Sequence, residues 1–378
     1  MDKIVFYFLI IIVTACNPTL HEKNVIYVDI DKTKSIHFSE WFSEIEIIPL
    51  ETHKSSVISE CHKMDYAHQR FYVHDLGRGA IFVFDSIGKF LFSTLPLKGK
   101  GPGEYVGISD FCINKFTGNI EILDPNSLAI RVYDKDFSLI KNIKLIKDLF
   151  PLGTFQQLSA DLYLFCSPDY EKTQTAIKVF SISQKKIIKR LLPLPANTKD
   201  LSVTNTSNFS WLNNNVLFSY KFPNNDVFHI DTIGDVVAYY KYDFEKYTFN
   251  LDKLPANQEK SYYRRYYETF KDKYAFPYKK PENLKYRFCF FVFKDDLYIS
   301  RQEKESLHQE VISHKFRDGG MILPPIYIDE KYLYNAVEPD WLELMLTKDV
   351  LTLVQQEMIS KIKEEDNPVI LKYKIKSL

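Results

Sequence analysis

Four of the twelve glycines in this chain fall in one stretch, LKGKGPGEYVG at residues 97–107, where Gly99, Gly101, Gly103 and Gly107 are interleaved with Lys98, Lys100, Glu104 and Tyr105. Glycines at this density could let a backbone cradle a phosphate, and a Lys-Glu-Tyr set on a loop could contact a sugar or a peptide carboxylate. A phosphate loop needs its donors at the start of a helix, however, and here Pro102 removes one donor while the following YVGISDFCINKF reads as a strand. Gly99, Gly101 and Gly103 are therefore read as permitting positive φ in a compact connection from an outer strand (89–96) to the next inner strand (108–114). Lys98, Lys100, Glu104 and Tyr105 stay as candidate ligand contacts, with a salt-bridged surface turn as the alternative.

Other chemistry is sparse. His21, His37, His53, His62, His68, His74, His229, His308 and His314 are scattered, with no His-Glu-x-x-His and no Gly-x-Ser-x-Gly, so neither a zinc-protease helix nor a nucleophile elbow is present and no metal set is predicted. The segment ANQEKSYYRRYYETFKDKYAFPYKKPENLKYRF (256–288) reads as a helical insertion over about 256–285, with aromatic residues at spacings of one, three and four and basic residues between them. Such a stripe packs on its own domain or stacks sugar rings and grips acidic polymers, which makes Tyr263, Arg264 and Tyr267 candidate contacts. A second amphipathic helix is predicted over about 341–364.

Forty-nine basic residues balance forty-nine acidic ones, which argues against a general polyanion binder and against nucleic acid. Cys61, Cys112, Cys166 and Cys289 are far apart and without a CxxC pair; the apolar strand contexts of three of them, Cys112, Cys166 and Cys289, favour buried thiols over two disulfides. The opening MDKIVFYFLIIIVTAC has a basic residue, a short apolar run and small residues before a cysteine. The run is too short for a stable bilayer span, which takes about 20 residues, but it suits a secretory signal. Residues 1–15 are thus read as a lipoprotein signal peptide because TAC resembles the bacterial lipobox. Cys16 would be the acylated residue, and residues 16–23 a tether. The membrane face, periplasmic or external, stays open.

The elements that must position these groups repeat. Asp75 and Asp124, Asp85 and Asp134, and Phe90 and Leu139 are each 49 residues apart, and the turn DSIG (85–88) returns as DTIG (231–234). Each unit holds alternating apolar runs separated by Asp, Asn and Gly, as antiparallel meander strands require, and high Tyr and Phe content favours sheet over helix. Units of this length with about four strands each predict an all-β, six-bladed β-propeller over 24–378 with short helical insertions. The last blade is closed by N- and C-terminal strands, for which NVIYVDI (24–30), EIEIIPL (44–50) and NPVILKYKIKSL (367–378) are available.

With its lipobox, IPLET (48–52), FDSIGKF, GKGPGEY (99–105) and terminal EDNPVILKYKIK (365–376), the chain resembles the six-bladed propeller lipoproteins of Bacteroidetes, related in fold to TolB-like and NHL-repeat propellers. That resemblance implies architecture and export, with attachment to the outer membrane through the lipid alone, and no particular chemistry. Similar propellers such as lactonases hold a divalent cation in the central channel, so Glu60, Asp65 and Asp110, near presumed inner strands, are the candidate channel residues. The expected role is non-catalytic binding of a glycan, a peptide or an envelope protein by one face of the disc, without a cofactor. The alternatives are a lyase or hydrolase acting on a saccharide or lactone with one divalent cation in the channel, and a structural subunit of an envelope complex.

Overall fold

A computed structural model describes residues 24–169, 173–194, 209–220, 224–250 and 267–377. The strands form six sheets. Blade 1 is Cys61–Ala67, Arg70–Asp75, Ala80–Asp85 and Phe90–Ser93, and blade 2 is Asp110–Ile113, Ile120–Asp124, Ala129–Tyr133 and Leu139–Lys144. Blade 3 is Thr154–Gln157, Leu162–Asp169, Thr175–Ser181 and Lys186–Pro193, and blade 4 is Phe209–Leu212, Asn215–Ser219, Asp226–Ile230 and Val236–Asp243. Blade 5 is Phe276–Lys279, Tyr286–Phe293, Asp296–Glu303 and Gln309–Ser313. Blade 6 is Tyr327–Ile328, Tyr332–Val337, Val369–Ile375 and, from the other end of the chain, Phe42–Pro49.

The first strands of neighbouring blades approach one another, so they line the axis and the fourth strands form the rim. Six of the hydrophobic clusters each sit between two adjacent blades, for example Tyr72, Ile81 and Val83 of blade 1 against Phe111, Ile120 and Ile122 of blade 2. Six blade interfaces filled in this way make a ring without a gap.

Repeated residues do repeated work. Asp85, Asp134 and Asp231 each turn one carboxylate oxygen onto two backbone N–H groups of the turn between third and fourth strands: Ile87 and Lys89, Asp136 and Ser138, Ile233 and Asp235. Gly88 (φ +87°) and Gly234 (φ +81°) supply the left-handed residue in two of them. Asp75 and Asp124 clip the opposite turn to the incoming chain, through Ser59 and Val106.

Three expectations are corrected. The strand Asn24–Tyr27 does not help close blade 6; it pairs in parallel with Val236–Asp243 as a fifth strand on the rim of blade 4. From there the chain crosses blade 5, where Lys34 bridges Ile312, before Phe42–Pro49 closes blade 6 antiparallel to Val369–Ile375. The N-terminal segment is thus a belt over three blades. The insertion about 256–285 is shorter than its pattern suggested, because Phe276–Lys279 is the first strand of blade 5. Residues 267–270 are helical, and 251–266 lie outside the described residues. The region 341–364 is also not one helix: it breaks into Pro339–Trp341, Leu342–Met345, Lys348–Val350 and Leu353–Ile359. Tertiary bonds interrupt it, since Met345 accepts from the Met321 N–H and the Thr347 hydroxyl donates to Asp318, after which Thr352 caps a new helix. No disulfide joins the cysteines among the described residues; Cys112, Cys166 and Cys289 are buried.

Candidate functional site

The innermost strand of blade 3, Thr154–Gln157, is buried yet polar. Thr154 Oγ1, Gln156 Nε2 and Gln157 Oε1 have no hydrogen-bond partner among the described residues, although Gln156 is only 5 % exposed. Buried polar groups are almost always paired, so an unpaired row beside the axis calls for an explanation. Trp211, on the innermost strand of blade 4, adds an indole N–H in the same condition.

Above that row, the turn joining the first two strands of blade 2 is drawn out into a finger, residues 114–119. Asn114 shapes it: its Oδ1 accepts from the N–H groups of Phe116 and Thr117, and its Nδ2 donates to Glu121 Oε1 at 2.7 Å. Tyr163 of blade 3 donates to the same carboxylate at 3.0 Å. Burial raises the Glu121 pKa, against the pull of those two donors. At the tip Gly118 has φ +72°, and a side chain there would strike the His68 ring, whose Nε2 lies 2.8 Å from the Gly118 carbonyl. Held by three blades, the finger reaches past blade 3 to blade 4. Lys115 donates to the Asn213 carbonyl and lies 4.5 Å from the Trp211 ring centroid, and Phe116 meets Trp211 edge to face at 5.6 Å while 52 % exposed. One end of the axis therefore presents two aromatic rings and an ammonium, with the unpaired amides and hydroxyl of the innermost strand of blade 3 buried inside the ring.

Farther along the axis the innermost strands carry charge. Lys63 donates to Asp110 at 2.8 Å, and Asp110 also accepts from the N–H groups of Phe111 and Phe155. Burial alone would lower the Lys63 pKa, but Asp110 and Asp65 outweigh it and hold the amine above its usual range. Burial pushes the Asp65 carboxyl up to about 6 against the pull of Lys63. Lys279, on the innermost strand of blade 5, is pushed down to about 8 by burial, and its amine donates to the Pro325 carbonyl.

The residues singled out from the sequence scatter. Asp65 and Asp110 share the Lys63 cluster, whereas Glu60 is mainly exposed beside His62, 3.9 Å away. Among the described residues no three His, Cys, Asp or Glu side chains gather as a set that could hold a metal ion. In the 97–107 loop Tyr105 is 0 % exposed and its hydroxyl is engaged with Thr94 and Gly79. Glu104 folds back to accept from the Gly101 N–H and fills the space beside Gly99, where a side chain would collide with it, and crowds Gly101. Lys98 ties down the Arg78 carbonyl and Lys100 is exposed. Tyr267 packs on Phe276 and contacts Asp295, at the connection between blades 4 and 5, far around the ring from that loop. Tyr263, Arg264 and Cys16 lie outside the described residues.

Sequence reading missed Phe116, Trp211 and the unpaired strand. The one available signal was a lengthened first turn, NKFTGN, against the two-residue turns of blades 1 and 4. It also missed Glu282, a buried carboxylate between blades 4 and 5 with Tyr240 at 2.6 Å, His229 at 3.1 Å, Lys304 at 3.2 Å and Arg287 at 3.5 Å. Burial would raise its pKa, but these donors outweigh that and hold it low.

The model of a family described as a domain of unknown function (DUF4934) matches residues 23–374. No curated protein matches this sequence. Among solved structures, the chain is similar to a protein of Bacteroides fragilis named as exported, with TM-score 0.75 and 18 % identity over 94 % of this chain and 100 % of that one. A member of the DUF4221 family from Bacteroides vulgatus matches with TM-score 0.53 and 10 % identity, over 89 % of this chain and 98 % of that one. At these identities the likeness speaks for the fold.

Proposed function

We propose, for a chain that belongs to the DUF4934 family and folds as a six-bladed propeller, a role as a lipid-anchored extracytoplasmic binding protein for a glycan. One observation carries the reading: at one end of the axis the exposed Phe116 ring and the Lys115 ammonium gather on Trp211 of the neighbouring blade. A pyranose offers an apolar face that stacks on aromatic rings and a rim of hydroxyls that accept from an ammonium, which is the complement of this surface. Export and anchoring rest on the signal-like N-terminus and Cys16, and the exported B. fragilis protein of the same fold is in keeping with them.

The test is binding to an array of neutral and acidic oligosaccharides. The unaltered chain is expected to retain a saccharide, and Trp211→Ala to weaken it about tenfold or more. If no oligosaccharide is retained, or if Trp211→Ala and Phe116→Ala bind as the unaltered chain does, the reading fails. A second reading, a lyase or hydrolase on a saccharide or lactone, draws on Asp65 near 6 and Lys279 near 8, the neutral range that general acids and bases use. It predicts turnover of the bound compound that Asp65→Asn abolishes without loss of binding.

A further inference from the structure

Equal numbers of positive and negative side chains do not imply an even surface, and on this disc they are segregated along the rim. The outer strand of blade 2, Leu139–Lys144, carries Lys141 and Lys144, and the outer strand of blade 3, Lys186–Pro193, carries Lys186, Lys189 and Arg190; neither contains an acidic residue. Lys189 pairs with Asp235 at 2.7 Å, whereas Lys141, Lys144, Lys186 and Arg190 are exposed and have no acidic partner within ion-pair distance among the described residues. Of the acids in the adjoining connections, Asp136 is engaged with Arg70 and Lys135 and Asp161 with Ser181 and Ser183, while Asp148 is exposed. Exposed apolar side chains lie among the bases: Leu139 and Ile140 on blade 2, and Ile233, Val237 and Tyr27 on the adjacent rim of blade 4.

The described chain begins on that same sector. Asn24 pairs with Tyr240 at the rim of blade 4, and the segment from residue 16 to residue 24 can span at most about 28 Å when fully extended. An anchor at Cys16 would hold the rim of blade 4, and with it blade 3, close to the bilayer. We infer that the outer strands of blades 2 and 3 rest on an anionic lipid surface, with the disc standing on edge and both mouths of the channel open to the side. Bases attract anionic headgroups over a Debye length, and Leu139, Ile140 and Ile233 supply apolar area for the interface. The inference rests on the anchored reading only for its choice of occupant; the basic sector stands without it.

Residues 24–377 close the ring, so the chain from Asn17 onward tests the rim without the lipid. It is expected to co-sediment at low salt with vesicles of phosphatidylcholine and phosphatidylglycerol, to release as salt rises, and to ignore phosphatidylcholine alone. The variant Lys141→Glu, Lys144→Glu, Lys186→Glu, Arg190→Glu should lose at least about 100-fold in vesicle affinity. An equal charge reversal on blades 6 and 1 (Lys54→Glu, Lys89→Glu, Lys331→Glu, Lys363→Glu) should change it by less than about threefold. Matching thermal midpoints for the two variants show that both fold, and the salt series on the unaltered chain does not depend on either. Absence of vesicle binding, equal loss in both variants, or binding of heparin without binding of vesicles would overturn the inference, the last by assigning the sector to an acidic polymer. Separately, failure of the full chain to insert into phosphatidylcholine vesicles after acylation conditions would remove the anchor and leave the rim result standing.

Discussion

Two halves of the rim use charge in opposite ways. On the outer strands of blades 5 and 6 the acids are engaged within the protein: Glu44 with Lys374, Glu46 with Lys372, and Glu310 with Lys34, the Trp41 indole and Arg301. Arg301 is buried 4.4 Å from the Trp41 ring centroid and donates to the Lys376 carbonyl, so a single guanidinium joins the N-terminal belt, the C-terminal strand and blade 5. Burial lowers its pKa to about 10, which leaves it cationic at neutral pH. On the outer strands of blades 2 and 3, exposed bases of similar number make no ion pair among the described residues, although Lys141 acts on the buried Glu121 from a distance. The lesson is that charge is spent on closure where the ring must be fastened, and left unspent where a separate surface can take it.

The comparison breaks most visibly at the fastener. Arg301→Ala leaves Glu310 half-buried without its guanidinium and removes the cation beside Trp41, so unfolding free energy should fall by about 3–5 kcal/mol, read as a lower denaturation midpoint. Midpoints within error of the unaltered chain would show that the latch is ornamental. Acid provides the next test. Burial alone would raise the Glu310 pKa, but Lys34, Trp41 and Arg301 outweigh it and hold it below the usual range. A depressed carboxylate contributes stability that is present above its unfolded value, near 4.3, and lost as pH falls through its folded value. Melting temperature should therefore drop below about pH 4.3, and Glu310→Gln should lie lower at neutral pH while losing part of that slope; parallel curves would contradict the assignment. The smallest effect belongs to the basic half. Lys141→Ala with Lys144→Ala should alter stability by less than about 0.5 kcal/mol, and a larger loss would mean that these side chains have a structural partner.

Much of the fold was legible because a repeated physical need leaves a repeated residue. Each outer turn needs an acceptor for two N–H groups, so Asp85, Asp134 and Asp231 recur at the spacing of the blades. The dense glycines of 97–107 were legible only in part: no helix follows and Gly103 has the expected positive φ (+82°), but Gly99 and Gly101 do not, and instead make room for the inward-folded Glu104. The candidate site was much less so. Phe116 and Trp211 are about 95 positions apart on different blades, and nothing near either residue announces the other. Thr154, Gln156 and Gln157 look like any polar strand until their neighbours are known. The belt was misassigned because NVIYVDI has the alternation of any strand, and alternation does not say which edge will receive it.

What the amino-acid order alone determined was local: strand periodicity, the Asp and Gly turns and the number of blades. These follow from short-range sterics and hydrogen bonding, which each unit must solve within itself. Tertiary structure decided where the first strand lies, that it is Phe42–Pro49 that closes on Val369–Ile375, which buried polar groups remain unpaired, and how the charges of the described outer strands divide around the rim. Those outcomes depend on distances between residues remote in the chain, and such distances exist only once the ring has closed.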